Sequence, residues 1–83
     1  MNTATFSLHI VSPPASQTLE VLWIEVHSPT GEFVVGPDSS PLVSLLTPAS
    51  KLIYKSPNGT TGTIDISGGV FMVEENKALV LTT

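Results

Sequence analysis

Phe6, Leu8 and Ile10 alternate with Ser7 and His9, and Val11 closes the run. A period of two puts one set of side chains on a buried face and predicts a strand. Ser12-Pro13-Pro14 ends it, because consecutive prolines remove the N–H donors that a ladder needs. Residues 19 to 26, LEVLWIEV, are dense in branched and aromatic side chains and are interrupted by Glu20 and Glu25. The expectation there is one strand that changes facing part-way, at a bulge, rather than a helix. Pro29-Thr30-Gly31 then supplies a turn, Phe33 to Val35 a short strand, and two prolines hold the loop Gly36-Pro37-Asp38-Ser39-Ser40-Pro41. Leu42 to Leu46 carries no period that decides its type.

Leu52-Ile53-Tyr54 and Ile64-Asp65-Ile66 flank Ser56-Pro57-Asn58-Gly59. Asn-Gly between apolar runs signals a hairpin, since both residues tolerate positive φ, and Asn58 and Gly59 are expected at its tip. Val70 to Val73 and Ala78 to Leu81 form a last pair that turns at Glu74 to Lys77. Ahead of that pair stand Gly68 and Gly69. Two glycines before an apolar strand predict a sharp bend or a close backbone approach that a side chain would obstruct, a structural role and not a catalytic one. Turn signals recur about every 8 to 12 residues, the spacing of an all-β sandwich or barrel and not of βαβ units.

Composition narrows this further. The 83 residues suffice for one domain, 1–83, with one modest core. With 41% hydrophobic and only 12% charged residues, the chain is too apolar to stay disordered. It contains no cysteine, which excludes a disulfide framework and a thiolate metal site and leaves packing to hold the fold. No stretch approaches the ~20 apolar residues of a membrane span, and Met1 to Thr5 carries no basic or long apolar segment. A soluble, cytoplasmic protein with no direct membrane insertion is expected. The net charge is −4, Lys51, Lys55 and Lys77 are the only lysines, and arginine is absent. Phosphate contacts would have almost no donors, so nucleic acid is set aside as a partner.

The candidate chemistry is sparse. His9 and His27 lie in separate segments without the i, i+4 helical spacing of a zinc pair, so both read as strand residues and no metal ligand is assigned. No G-x-S-x-G elbow accompanies the serines. The carboxylates are dispersed, and adjacent Glu74 and Glu75 in a turn point apart and are screened by water. Gly31 and Gly36 lack the Lys and Ser/Thr that complete a phosphate loop. No catalytic residue, cofactor or small-molecule substrate is therefore expected. Asn58-Gly59-Thr60 matches a glycosylation sequon, which the hairpin tip explains by itself. Trp23 and Tyr54 fit two roles, interface anchors or core packing.

Ser67-Gly68-Gly69 followed by Val70-Phe71-Met72-Val73, Asn76-Lys77 and Val80-Leu81 resembles the amino-terminal domain of the epsilon subunit of the F-type ATP synthase. That family carries a Ser-Gly-Gly, an apolar run, an Asn in a turn and a Val-Leu strand. Phe6, Leu8 and Ile10-Val11-Ser12-Pro13 are similar to its opening strand, and Gly31-Glu32-Phe33 to its Gly-Glu-Phe/Leu. Pro37, Pro41 and Leu42 keep the spacing of its Pro-Gly-His-Ala-Pro-Leu loop, and Pro48 falls where it has Pro-Gly. The likeness covers essentially residues 6 to 83. This chain departs from the pattern at Val34, at Gly36 and at Asp38-Ser39-Ser40, which stands in place of Gly-His-Ala.

The resemblance implies an antiparallel β-sandwich and a non-catalytic rotor subunit of the central stalk. Such a subunit links the gamma subunit to the membrane c-ring in ion-driven ATP synthesis and lies peripheral to the inner, or plasma, membrane. Carried over by position, Glu32, Asp38 and Ser39 would face the c-ring, and Ser12 and Ser44 the gamma subunit. Ser39 stands where the family has a ring-facing His and cannot reproduce imidazole size or protonation. The helical hairpin that usually follows this domain, and that restrains ATP hydrolysis, is not expected within residues 1–83, so these residues should not brake hydrolysis by that route. The altered Asp38-Ser39-Ser40 loop suits an alternative, a free-standing β-sandwich protein-binding module with no synthase role.

Overall fold

The computed structural model describes residues 4–37 and 40–82. Nine strands form among them: β1 (Phe6–Ser12), β2 (Ala15–Val21), β3 (Trp23–Ser28), β4 (Gly31–Val35), β5 (Leu42–Leu46), β6 (Ser50–Lys55), β7 (Thr61–Ile66), β8 (Gly69–Glu74) and β9 (Lys77–Thr82). A five-stranded sheet in the order β2-β1-β9-β8-β5 packs on a four-stranded sheet in the order β4-β3-β6-β7. The expected all-β sandwich is what the chain forms. Neighbouring strands run antiparallel with one exception: β1 and β9 lie side by side in parallel, with Leu8 opposite Ala78 and Ile10 opposite Val80. No local signal announces that pairing, because it joins the two ends of the chain.

The period of two builds the core directly. Phe6, Leu8 and Ile10 of β1 are buried while Ser7 and His9 between them are not. Ile24 and Val26, Leu52, Phe71 and Val73, and Ala78 and Val80 repeat the pattern on β3, β6, β8 and β9. Phe33 from one sheet meets Phe71 from the other edge to face, with ring centroids 6.2 Å apart. Tyr54 packs against the same core and its ring lies across Gly62, its cross-strand partner. Of the two roles open to Tyr54, core packing is the one it fills. Trp23 pairs with Lys55, stays half-buried and belongs to the other face of β3.

Residues 19 to 26 do not form one bulged strand. They are the end of β2 and most of β3, which belong to different sheets. The spacing of the buried residues shows the break: Val21 and Ile24 are three apart, whereas strand alternation requires two. Leu22 is the corner, and its amide donates to the Lys55 carbonyl of the second sheet at 2.7 Å. The predicted change of facing is real, but it comes from a crossing between sheets. Residues 15 to 18, too polar to advertise a strand, extend β2 because they lie on a sheet edge paired only with β1. Leu42 to Leu46, undecided by period, is the opposite edge.

Glu75 and Asn76 both adopt positive φ, 48° and 63°, between the paired residues Glu74 and Lys77. That is the two-residue primed turn whose twist matches a hairpin. At the other predicted tip only Gly59 is left-handed, at φ 91°. Its amide donates to the Ser56 carbonyl at 2.9 Å, so Pro57 and Asn58 form the turn and Gly59 follows it. The Asn58 side chain accepts from the Thr60 amide at 3.0 Å. Between β5 and β6, Pro48 is followed by Ala49 at φ 57°, a left-handed position that favours glycine.

Candidate docking surface

Side chains alternate across the pleat, so the residues between the core positions of the five-stranded sheet form its outer face. Cross-strand register sorts them into rows. Val43 of β5 lies opposite Met72 of β8, which lies opposite Leu79 of β9; Leu45 lies opposite Val70, which lies opposite Leu81. Val43 and Leu45 are 67% and 65% exposed, and Met72 and Leu81 about two-fifths exposed. Six apolar side chains on three adjacent strands thus make a continuous outward surface, with Val11 of β1 extending the second row.

The rest of that face is polar. Glu20 of β2 accepts hydrogen bonds from the hydroxyls of Thr5, at 3.1 Å, and Ser7, at 2.9 Å. His9 and Thr18 share another at 2.7 Å. The outer face therefore divides between the hydrated pair β2-β1 and the apolar trio β9-β8-β5. Grouping of exposed apolar side chains on one side of a small protein marks a contact surface, whereas scattered ones need no explanation. Four of the six exposed large apolar residues among the described residues, Val43, Leu45, Met72 and Leu81, fall in this one patch.

The residues singled out from the sequence occupy several parts of the molecule. Ser44 lies on β5 opposite buried Phe71, half-buried, with its hydroxyl donating to the Leu45 carbonyl at 3.1 Å. Ser12 closes β1, half-buried, and lines a cavity with Ile64 and Asp65 of β7. β9 and β8 separate these two serines, roughly 14 Å at ~4.8 Å per strand. Both have inward parity, so neither belongs to the apolar patch, although Ser44 is flanked in sequence by its most exposed members. Glu32 is exposed on edge strand β4, directly opposite His27. Asp38 and Ser39 lie outside the described residues.

Gly68 and Gly69 stand at the entrance to β8 with φ of 116° and 130°. A Cβ on Gly69 would collide with the Leu81 carbonyl oxygen of the neighbouring strand, whereas one on Gly68 would only touch Pro48. The Gly68 carbonyl accepts from the buried Thr82 hydroxyl at 2.8 Å.

Sequence reasoning missed the apolar patch. The available signal was that Val43, Leu45, Val70, Met72, Leu79 and Leu81 sit at positions alternate to the core ones, so three strands are apolar on both faces.

A family model described as ATP synthase, Delta/Epsilon chain, beta-sandwich domain matches residues 5–83. The chain belongs to that family. A solved structure shows the same fold: a chain in the cryo-EM structure of the Euglena gracilis mitochondrial ATP synthase, OSCP/F1/c-ring in rotational state 1, superimposes with a TM-score of 0.89 at 22% identity. The match covers 95% of the present chain and 51% of that one, so the present chain spans about half the length of its structural relative. No curated protein matches the sequence. The delta/epsilon sandwich is thus recognisable here in fold and family pattern, while individual side chains have diverged.

Proposed function

We propose that this chain is a central-stalk domain of a rotary ATP synthase, linking the gamma subunit to the c-ring and carrying torque between them. Family membership over residues 5–83 is the observation that carries the reading. The division of the five-stranded sheet into a hydrated half and an apolar half supports a permanent protein neighbour on one side. In this reading the domain is non-catalytic and works as a rigid spacer, so its requirements are a packed core and two contact surfaces. Gamma docks on the β5 side, against outward-facing Val43 and Leu45, and reaches inward-facing Ser44 around the bare strand edge and Ser12 around the end of the sheet. The c-ring is met by Glu32 and the loop that holds Asp38 and Ser39. Among the described residues no helix is long and apolar enough to cross a membrane, and the proposed position is peripheral, held by the partners at the cytoplasmic side.

Calorimetric titration of the chain with the gamma subunit of the same genome tests this. Saturable binding is expected, and Leu45→Glu, which places a charge among the outward-facing apolar side chains of β5, should weaken it at least tenfold, about 1.4 kcal/mol. Absence of binding with both proteins folded would overturn the rotor reading and leave a sandwich that binds some other protein.

A further inference from the structure

The outer face of the four-stranded sheet carries a cluster that the apolar patch does not use. Glu25 and His27 are two residues apart on β3 and therefore project to the same side. The β3-β4 hairpin, closed by Pro29 and Thr30, sets Glu32 directly opposite His27. The imidazole sits between the two carboxylates, with Nε2 3.2 Å from Glu25 and Nδ1 3.5 Å from Glu32. One ligand atom from each of the three residues can be chosen so that all lie within 4.8 Å of one another.

Two carboxylates that close repel unless a positive charge stands between them. The chain's cationic side chains, besides its histidines, are three lysines. Among the described residues, the ion pairs of both Glu25 and Glu32 run to His27 alone.

We propose that Glu25, His27 and Glu32 form a three-ligand site for a borderline divalent cation of the zinc type. One imidazole nitrogen with two carboxylate oxygens is a donor set that suits zinc, cobalt and nickel, whereas calcium and magnesium favour oxygen alone. Tetrahedral bonds of about 2.1 Å require donors about 3.4 Å apart, so the widest pair must close by up to about 1.4 Å and Glu32 must turn from Nδ1 toward the nitrogen that faces Glu25. Side-chain rotation supplies that, because the Glu32 side chain is 66% exposed and free to turn. The β3-β4 ladder holds all three Cα positions, and water fills the fourth coordination position. Glu32 is shared with the proposed c-ring contact, but metal binding by the chain alone is measured without any rotor partner, so the site and the rotor reading can fail separately.

The test is calorimetric titration of the 83-residue chain with Zn²⁺ at neutral pH in a non-chelating buffer, beside His27→Ala, Glu25→Gln, Glu32→Gln and His9→Ala, each checked for folding by circular dichroism. One equivalent should bind, with affinity reduced at least tenfold in His27→Ala, reduced in both Gln variants and unchanged in His9→Ala. An excess of Mg²⁺ or Ca²⁺ should not displace it. Proton NMR of the unaltered chain gives the same answer without variants: Zn²⁺ should shift the ring resonances of His27 and leave those of His9 in place. Absence of saturable binding, binding that survives His27→Ala, or a response at His9 instead would overturn the site and leave a histidine bridging two carboxylates.

Discussion

At the scale of single residues, two positions with left-handed backbone make opposite demands. Gly69 combines φ 130° with the Leu81 carbonyl lying where a Cβ would go, so no side chain fits. Ala49 holds φ 57° although it carries a Cβ. A left-handed residue with a Cβ costs roughly 1–2 kcal/mol, partly offset in glycine by its greater freedom when unfolded. Urea denaturation should therefore show the pair moving in contrary directions. Ala49→Gly gains about 0.5–1 kcal/mol and Gly69→Ala loses about 3 kcal/mol or more, because strain and collision add. Equal, small changes at both sites would refute this account. Of the two, Gly69 was the legible one, since adjacent glycines before an apolar strand call for explanation and an alanine in a turn does not.

At the scale of elements, β5 combines two properties that rarely coexist in a free-standing domain. It is a sheet edge and it has no charged residue, while two of its five side chains are about two-thirds exposed. Natural edges are usually blunted by charge or covered, because bare backbone donors and acceptors invite another strand. A covering partner reconciles the sequence of β5 with its position. The double change Val43→Lys and Leu45→Lys introduces charge at positions already facing solvent, so stability in urea should move by less than about 1 kcal/mol. Under the proposed function, affinity for gamma should fall at least tenfold in the same protein. Unchanged affinity would remove the apolar patch from the interface. The β3-β4 hairpin conveys a related lesson: Glu25 and His27 share a face by alternation, but Glu32 joins them only through register. A spacing rule for helices cannot find a site assembled across a turn.

At the scale of the whole molecule, two thin sheets share one layer of core, and Phe71 occupies its middle with no exposure at all. It touches Phe33 across the layer, so it holds the sheets together as well as filling space. Truncation to alanine should cost about 3–5 kcal/mol. A domain of this length has only about 4–12 kcal/mol in total, so Phe71→Ala should melt broadly or near room temperature in calorimetry. A sharp transition little changed from the parent would show that the core is redundant. The sequence by itself determined the strand class, most turns and the buried face of β1, because these follow from a period of two and from local backbone preferences. Recurrent family motifs in order pointed to the sandwich. Only the tertiary structure decided that residues 19 to 26 cross between sheets at Leu22, that β1 pairs with β9, and that six apolar side chains align into one outward surface. Each of these depends on which strands become neighbours, and neighbours distant in the chain are chosen by shared burial that no local pattern encodes.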